Sequence, residues 1–141
     1  MRGRSQGYHL KLAIVDNSHI VVGRLLSMLE ELENVEFIGH ANSVSKAVKL
    51  VEEQKPDVII LDIHLAEEVP STNGIDLLFI LRSRFPRIKV IMLTNLFEPQ
   101  YRTICSAFGI DYFFDKSDDF DKIPEALETI FSQNHEHYTH E

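Results

Sequence analysis

Short apolar runs alternate with amphipathic segments five times along this chain, and this alternation constrains the fold more than any other feature. The predicted strands cover residues 12–15, 35–41, 58–61, 90–93 and 112–114. The segments between and after them carry apolar residues at helical spacing. Because parallel strands are joined by right-handed helical crossovers, the pattern predicts an α/β protein with helices on both faces of a parallel sheet.

The central predicted strand ends in a carboxylate. Its four consecutive aliphatic residues, 58–61, show no polar alternation, which is typical of a strand buried on both faces. Asp62 follows directly and therefore lies at the carboxyl end of that strand. Ligands bind at this edge of open parallel sheets, so Asp62 is a candidate functional residue.

Length and composition exclude several classes of protein. The 141 residues are enough for one domain with a core, and the formal net charge is −8. Without a Lys/Arg block, direct contact with nucleic acid is not expected. The single cysteine, Cys105, argues against a disulfide scaffold or a thiolate metal site and is interpreted as a core residue. No apolar stretch is long enough for a signal peptide or a membrane span, so we expect a cytoplasmic location and no membrane contact.

The chain divides into an arm, one domain and a tail. Residues 1–9 are polar and are expected to form a flexible arm, residues 10–132 the domain, and residues 133–141 a polar C-terminal tail. Three histidines of this tail could form a metal cluster, but an exposed polar segment is favoured: His135, His137 and His140.

Helix ends are predicted from capping residues. Ser18 and Ser43 should begin the first two helices, Gly109 should end the fourth, and the last should begin near Asp121. The loop between Asp62 and the third helix, residues 63–73, is long for a connection of this kind.

Polar residues follow four of the predicted strands. They are Asp16-Asn17, Asp62, Thr94 and Lys116. If the strand order is 2-1-3-4-5, all four strand ends meet at one edge of the sheet. An aspartate there can attack phosphorus, carboxylates can hold a hard divalent cation, and a lysine and a hydroxyl can bind phosphoryl oxygens. This set of residues predicts phosphoryl-transfer chemistry.

These motifs resemble those of the receiver domains of bacterial two-component response regulators. The resemblance covers about residues 10–132 and rests on Ile14-Val15-Asp16-Asn17, Leu61-Asp62, Met92-Leu93-Thr94-Asn95 and Phe114-Asp115-Lys116-Ser117. It implies a flavodoxin-like (βα)5 fold, a doubly wound parallel sheet of order 2-1-3-4-5. The segment 113–117 is similar to that of the subfamily that usually carries a C-terminal helix-turn-helix.

The resemblance also implies a set of roles. Asp62 would accept a phosphoryl group from a sensor histidine kinase or a phosphotransfer protein, and Thr94 and Lys116 would assist. Mg²⁺ would be bound by Asp16, Asn17, Asp62 and the backbone carbonyl of His64. Thr94 and Phe113 would be the switch pair, with the aromatic ring moving inward upon phosphorylation.

The implied protein is a signalling module rather than a metabolic enzyme. It would control a transcriptional output domain outside this chain, or act as a stand-alone or degenerate receiver that binds proteins without phosphorylation. The face formed by the fourth helix, fifth strand and last helix is a candidate surface for a homodimer.

Three features depart from the family pattern. Asn17 replaces the second acid after the first strand, which predicts weaker Mg²⁺ binding because an amide carries no charge. The loop from Asp62 to Gly74 is about four residues longer than usual, which is expected to alter the rim of the site. Ser117 stands where many relatives have proline.

The sequence is also compatible with purely structural roles for these residues and with other functions. Asp16 and Asp62 could cap helices, and Phe113 could be an ordinary core residue. A phosphohydrolase with an aspartyl nucleophile would place a second acid two residues after it, where this chain has His64. A flavin-binding module would need a Ser/Thr/Gly-rich loop after the first strand, which is absent here.

Overall fold

Five parallel strands and five α-helices alternate along the chain. The computed structural model describes residues 7–65, 73–95 and 98–139, the last five of these by their backbone alone. The strands are β1 Leu10–Val15, β2 Val35–Ala41, β3 Val58–Leu61, β4 Lys89–Thr94 and β5 Tyr112–Asp115. The helices are α1 His19–Leu29, α2 Val44–Gln54, α3 Gly74–Arg84, α4 Pro99–Ala107 and α5 Ile123–Thr139. A single 3-10 turn, Phe120–Lys122, precedes α5.

The strands form one sheet in the order β2-β1-β3-β4-β5, and every pairing is parallel. This confirms the predicted fold class and strand order. The register places Val15, the last residue of β1, opposite Leu61, the last residue of β3, and Leu61 opposite Met92, two residues before the end of β4. Residues that follow these strands are therefore brought to one edge.

Two apolar layers enclose the sheet. Leu12 and Ile14 of β1 pack in the layer that contains buried residues of α1 and α5, whereas Ala13 and Val15 pack in the layer of α2, α3 and α4. Cys105 is fully buried in the second layer, as predicted. Both faces of the sheet are covered, which explains why the central strands read as continuous apolar runs, whereas the edge strand β2 contains Glu36 and His40.

Side-chain caps define the ends of the helices. The Ser18 hydroxyl accepts from the amide of Val21 at 3.2 Å, and Ser43 caps α2 in the same way. Gly109 ends α4 with a φ of 80°, a conformation that costs glycine little. These three predicted caps are confirmed. The last helix begins at Ile123, two residues after the predicted start, because the 3-10 turn occupies the preceding residues.

The described parts of the predicted arm and tail are more structured than the sequence indicated. Tyr8, placed in the flexible arm, stacks on Phe131 with ring centroids 5.6 Å apart, and its hydroxyl oxygen accepts from Asn134 at 3.3 Å. The last helix continues to Thr139 rather than ending near residue 132, because no Gly or Pro interrupts the segment. The segment 133–139 is thus polar but helical.

Within the described ranges, no helix is both long enough and apolar enough to span a membrane. The tail histidines and most of the long loop, residues 66–72, lie outside the described residues or side chains.

Candidate functional site

The residues predicted to act together lie at the carboxyl edge of the sheet. Asp16, Asp62 and Lys116 directly follow β1, β3 and β5, and Thr94 is the last residue of β4. Backbone bonds hold the edge together, since the Asp62 amide donates to the Val15 carbonyl at 2.9 Å and the Lys116 amide to the Thr94 carbonyl at 3.1 Å. The side chains are therefore positioned by the sheet itself rather than by mobile loops.

A largely buried lysine bridges the two aspartates. Lys116 Nζ lies 2.8 Å from Asp62 Oδ2 and 3.1 Å from Asp16 Oδ2. Asp16 is 1% exposed and Asp62 is 4% exposed, so neither carboxylate is compensated by bulk water. One ammonium thus faces two buried carboxylates, and the three ionised groups together carry a single net negative charge.

Burial and charge act against each other in this group. Burial raises the pKa of Asp16, as does the nearby Asp62, while the Ser18 amide and Lys116 oppose that rise. Burial tends to lower the pKa of Lys116, but its hydrogen bond and charge interaction with Asp62, reinforced by Asp16, outweigh burial and raise it. Lys116 is therefore charged at neutral pH.

Two carboxylate oxygens of the site are available for a cation. Asp62 Oδ1 and Asp16 Oδ2 are buried and have no hydrogen-bond partner among the described residues; Asp16 Oδ2 forms an ion pair with the Lys116 ammonium. Asn17 and His64 are both exposed at the same edge and could add an amide oxygen and a backbone carbonyl. Such a set of oxygen ligands fits Mg²⁺. No group of three or more His, Cys, Asp or Glu side chains suited to a metal occurs in the described part of the chain. The site therefore fits a cation that is bound by two carboxylates and by neutral oxygen atoms.

Thr94 and Phe113 line one cleft beside the site. Thr94 is 1% exposed, whereas Phe113 is half-buried. The cleft encloses about 330 Å³, and its lining includes Glu98, Arg102 and Asp115. The guanidinium carbon of Arg102 lies 4.6 Å from the centroid of the Phe113 ring. The predicted switch pair therefore lines one open space and is covered from α4.

Two further residues support the site and were not assigned a role from the sequence. A Cβ on Gly74, the first residue of α3, would collide with the backbone carbonyl of Asp62, and the Gly74 amide donates to the Ile63 carbonyl at 2.7 Å. His40 Nε2 lies 2.9 Å from the carbonyl oxygen of Asp16. The glycine at the end of the loop was a visible signal, but close approach to Asp62 depends on the tertiary fold.

The family model for the response regulator receiver domain matches residues 12–128. The chain belongs to this family. Membership of this family favours a receiver over a flavin-binding module or a phosphohydrolase. A phosphohydrolase would have an acid two residues after Asp62, and this chain has an exposed histidine there.

Relatives of the receiver include transcriptional regulators. The chain is 25% identical over 121 residues to the transcriptional regulatory protein MctR of Rhizobium johnstonii, covering 86% of this chain and 55% of MctR. It is 25% identical to the response regulator GacA of Pseudomonas aeruginosa, covering 87% of this chain and 56% of GacA. The chain thus spans about half the length of these relatives.

Solved structures show the same fold. A LuxR-family DNA-binding response regulator from Staphylococcus aureus aligns with a TM-score of 0.76 at 23% identity, covering 86% of this chain and 98% of that one. The response regulator domain of Thermotoga maritima CheB aligns with a TM-score of 0.73 at 27% identity, covering 88% and 95%. These similarities establish the fold of the receiver, a two-component signalling module.

Proposed function

We propose that Asp62 of this receiver accepts a phosphoryl group from a phosphohistidine on a sensor histidine kinase or a phosphotransfer protein. The observation that carries the proposal is the Lys116 bridge between two buried carboxylates, while Asp62 Oδ1 has no hydrogen-bond partner in the part of the chain that the structure describes. A buried carboxylate with an uncommitted oxygen is a nucleophile, and the adjacent fixed ammonium is a ready partner for phosphoryl oxygens.

The chemistry follows from these positions. A carboxylate oxygen of Asp62 forms a bond to phosphorus while the phosphorus–nitrogen bond of the donor breaks, and its electron pair stays on the imidazole ring. The product is an acyl phosphate. Lys116 pairs with the phosphoryl oxygens, and the Thr94 hydroxyl donates a hydrogen bond to one of them.

A divalent cation is part of the proposal, because the phosphoryl group adds negative charge to a site that already has a net negative charge. Asp16, Asn17, Asp62 and the carbonyl of His64 would hold Mg²⁺, which would neutralise charge on the transferring group. Receiver domains generally bind Mg²⁺ at their acidic pocket. Asn17 supplies no charge, so weak binding of the cation is expected here.

The output is proposed from the relatives. MctR is a transcriptional regulatory protein, and a longer protein that contains this receiver would have the same role. Such a regulator would act in the cytoplasm. The receiver itself would catalyse only its own phosphorylation and dephosphorylation. Phosphorylation would shift the population of Thr94 and Phe113 conformations, and homodimerisation through α4, β5 and α5 is a candidate readout.

A second function is favoured by one observation. Because Asn17 removes a charge from the cation site, the chain could instead act as a stand-alone or degenerate receiver that binds its partner without phosphorylation.

Mass spectrometry distinguishes the phosphoryl-acceptor function from the phosphorylation-independent function. After incubation with Mg²⁺ and acetyl phosphate, the intact wild-type protein should gain the mass of one phosphoryl group, and Asp62→Ala should not.

The matched control is Asp121→Ala, which removes an exposed aspartate before α5 and should label like the wild type. Labelling of Asp62→Ala would contradict the acceptor assignment. If the wild type fails to label but Asn17→Asp labels, the acceptor is intact and the defect lies in cation binding. If neither labels with acetyl phosphate or with a phosphohistidine donor, the phosphorylation-independent function is supported.

A further inference from the structure

The cleft between Thr94 and Phe113 is covered by an arginine that the proposed phosphoryl chemistry does not use. Arg102 lies on the exposed side of α4, and its guanidinium carbon is 4.6 Å from the centroid of the Phe113 ring. Arg102 also lines the cleft with Thr94. This distance lies within the range of about 6 Å in which a cation is attracted to the face of an aromatic ring.

Arg102 also lies near the turn that carries Lys116, since it lines the same cleft as Asp115. The Asp115 amide donates to Asp119 Oδ2 at 2.9 Å, which closes the turn after β5. The pKa of Asp119 is lowered first by that amide and by Lys122, with a smaller electrostatic contribution from Arg102. Arg102 thus extends from α4 toward both the ring of Phe113 and the turn that holds Lys116.

We propose that Arg102 is a positioning residue that holds the Phe113 ring in its present place at the wall of the cleft. The inference rests on the proposed function, in which the ring moves toward Thr94 when Asp62 is phosphorylated. The positioning role requires that this movement separates the ring from the guanidinium, so that the contact favours the unphosphorylated conformation. A contact made in only one of two states shifts their populations by its own strength.

The sign of the effect separates this role from simple charge attraction. If Arg102 holds the ring, its removal makes the inward conformation more accessible, and binding of a phosphoryl mimic becomes tighter. A positive charge that acted by attracting the mimic would have the opposite effect, and its removal would weaken binding. For a cation–aromatic contact at an exposed site, we expect tightening of about two- to fivefold.

The test measures the affinity of the whole chain for beryllofluoride in the presence of Mg²⁺, by isothermal titration calorimetry. Arg102→Gln keeps a polar side chain of moderate length but removes the charge. The matched control is Arg84→Gln, since Arg84 lies over the Phe85 ring at 5.3 Å, away from the site. Arg102→Gln should bind beryllofluoride two- to fivefold tighter than the wild type does, as estimated above. Arg84→Gln should bind beryllofluoride with the affinity of the wild type.

A double-mutant cycle with Phe113→Leu shows whether the effect passes through the ring. The gain from Arg102→Gln should disappear when Phe113 is already leucine. Without any phosphoryl mimic, the Thr94 methyl NMR resonance of Arg102→Gln should move from its free wild-type position toward its bound position. A purely structural role for Arg102 would not produce this shift.

Three results would overturn the inference. Unchanged or weaker binding by Arg102→Gln rejects the positioning role, and so does a gain of equal size in the Phe113→Leu background. In both cases the wild type still binds beryllofluoride, so the proposed function stands. If neither the wild type nor Asn17→Asp binds beryllofluoride, the phosphoryl-acceptor proposal fails, and the positioning role fails with it.

Discussion

Replacing Lys116 by methionine should destabilise the receiver, because its ammonium is the cation that compensates two buried carboxylates. Lys116 Nζ lies 2.8 Å from Asp62 and 3.1 Å from Asp16, and the side chain is only 10% exposed. Methionine has a similar shape but no charge. The variant would therefore leave two carboxylates close together with no cation between them.

The magnitude follows from this geometry. Removing one partner of a buried ion pair costs about 3–5 kcal/mol. We expect a value near the lower limit, about 3 kcal/mol, because Asp16 can take up a proton more readily than an ordinary aspartate; burial has already raised its pKa. With a denaturant slope of about 2 kcal/mol per molar urea, the unfolding midpoint should fall by about 1.5 M.

The assay is urea unfolding followed by circular dichroism at neutral pH, first with EDTA and then with Mg²⁺. Mg²⁺ should raise the midpoint of Lys116→Met more than that of the wild type, because the cation replaces the missing positive charge. The matched control is Lys122→Met. Lys122 pairs with Asp119 at 2.9 Å but is exposed, so its removal should leave the midpoint almost unchanged.

An unchanged midpoint for Lys116→Met in EDTA would refute the electrostatic account of the site. A loss of stability that Mg²⁺ does not reduce would show that the lysine matters through packing rather than through its charge.

Three further predictions concern the backbone, the arm and the cation site. Gly74→Ala should slow labelling of Asp62 by acetyl phosphate at least tenfold, because the added Cβ collides with the Asp62 carbonyl and displaces the acceptor; labelling as fast as in the wild type would show that the contact is dispensable. Tyr8 has its pKa raised from 10.0 to about 12, first by burial, so the native state holds that proton more tightly than the unfolded state. The free energy of unfolding should therefore fall between pH 10 and pH 12 in the wild type, and fall less in Tyr8→Phe, as measured by urea titrations at each pH. Asn17→Asp should tighten Mg²⁺ binding by about tenfold, or about 1.4 kcal/mol, in a calorimetric titration, and equal affinities would reject the role given to that position.

The fold was predictable because its strands are marked by local sequence. The central strands of a sheet covered on both faces contain continuous apolar runs, and the first, third and fourth strands end in or are followed by a polar residue. Caps such as Ser18 and Gly109 are equally local signals. The strand order came from resemblance to a family, since alternation alone predicts a parallel sheet but does not order its strands.

The features that the sequence did not predict depend on contacts between residues far apart in the chain. Tyr8 was assigned to a flexible arm because its neighbours are polar, yet it stacks on Phe131, more than a hundred residues away. The approach of Gly74 to Asp62 and the position of Arg102 over Phe113 are likewise set by packing of elements against each other. Periodicity carries no information about such pairs, so only the structure reveals them.

The most direct test of the central claim is chemical mapping of the phosphorylated residue. The protein is incubated with Mg²⁺ and a phosphodonor, the acyl phosphate is reduced with borohydride, and the peptides are sequenced by mass spectrometry. Reduction converts a phosphorylated aspartate to homoserine, and the account predicts homoserine at position 62 only. Homoserine at position 16 or at an exposed carboxylate, with position 62 unmodified, would contradict it.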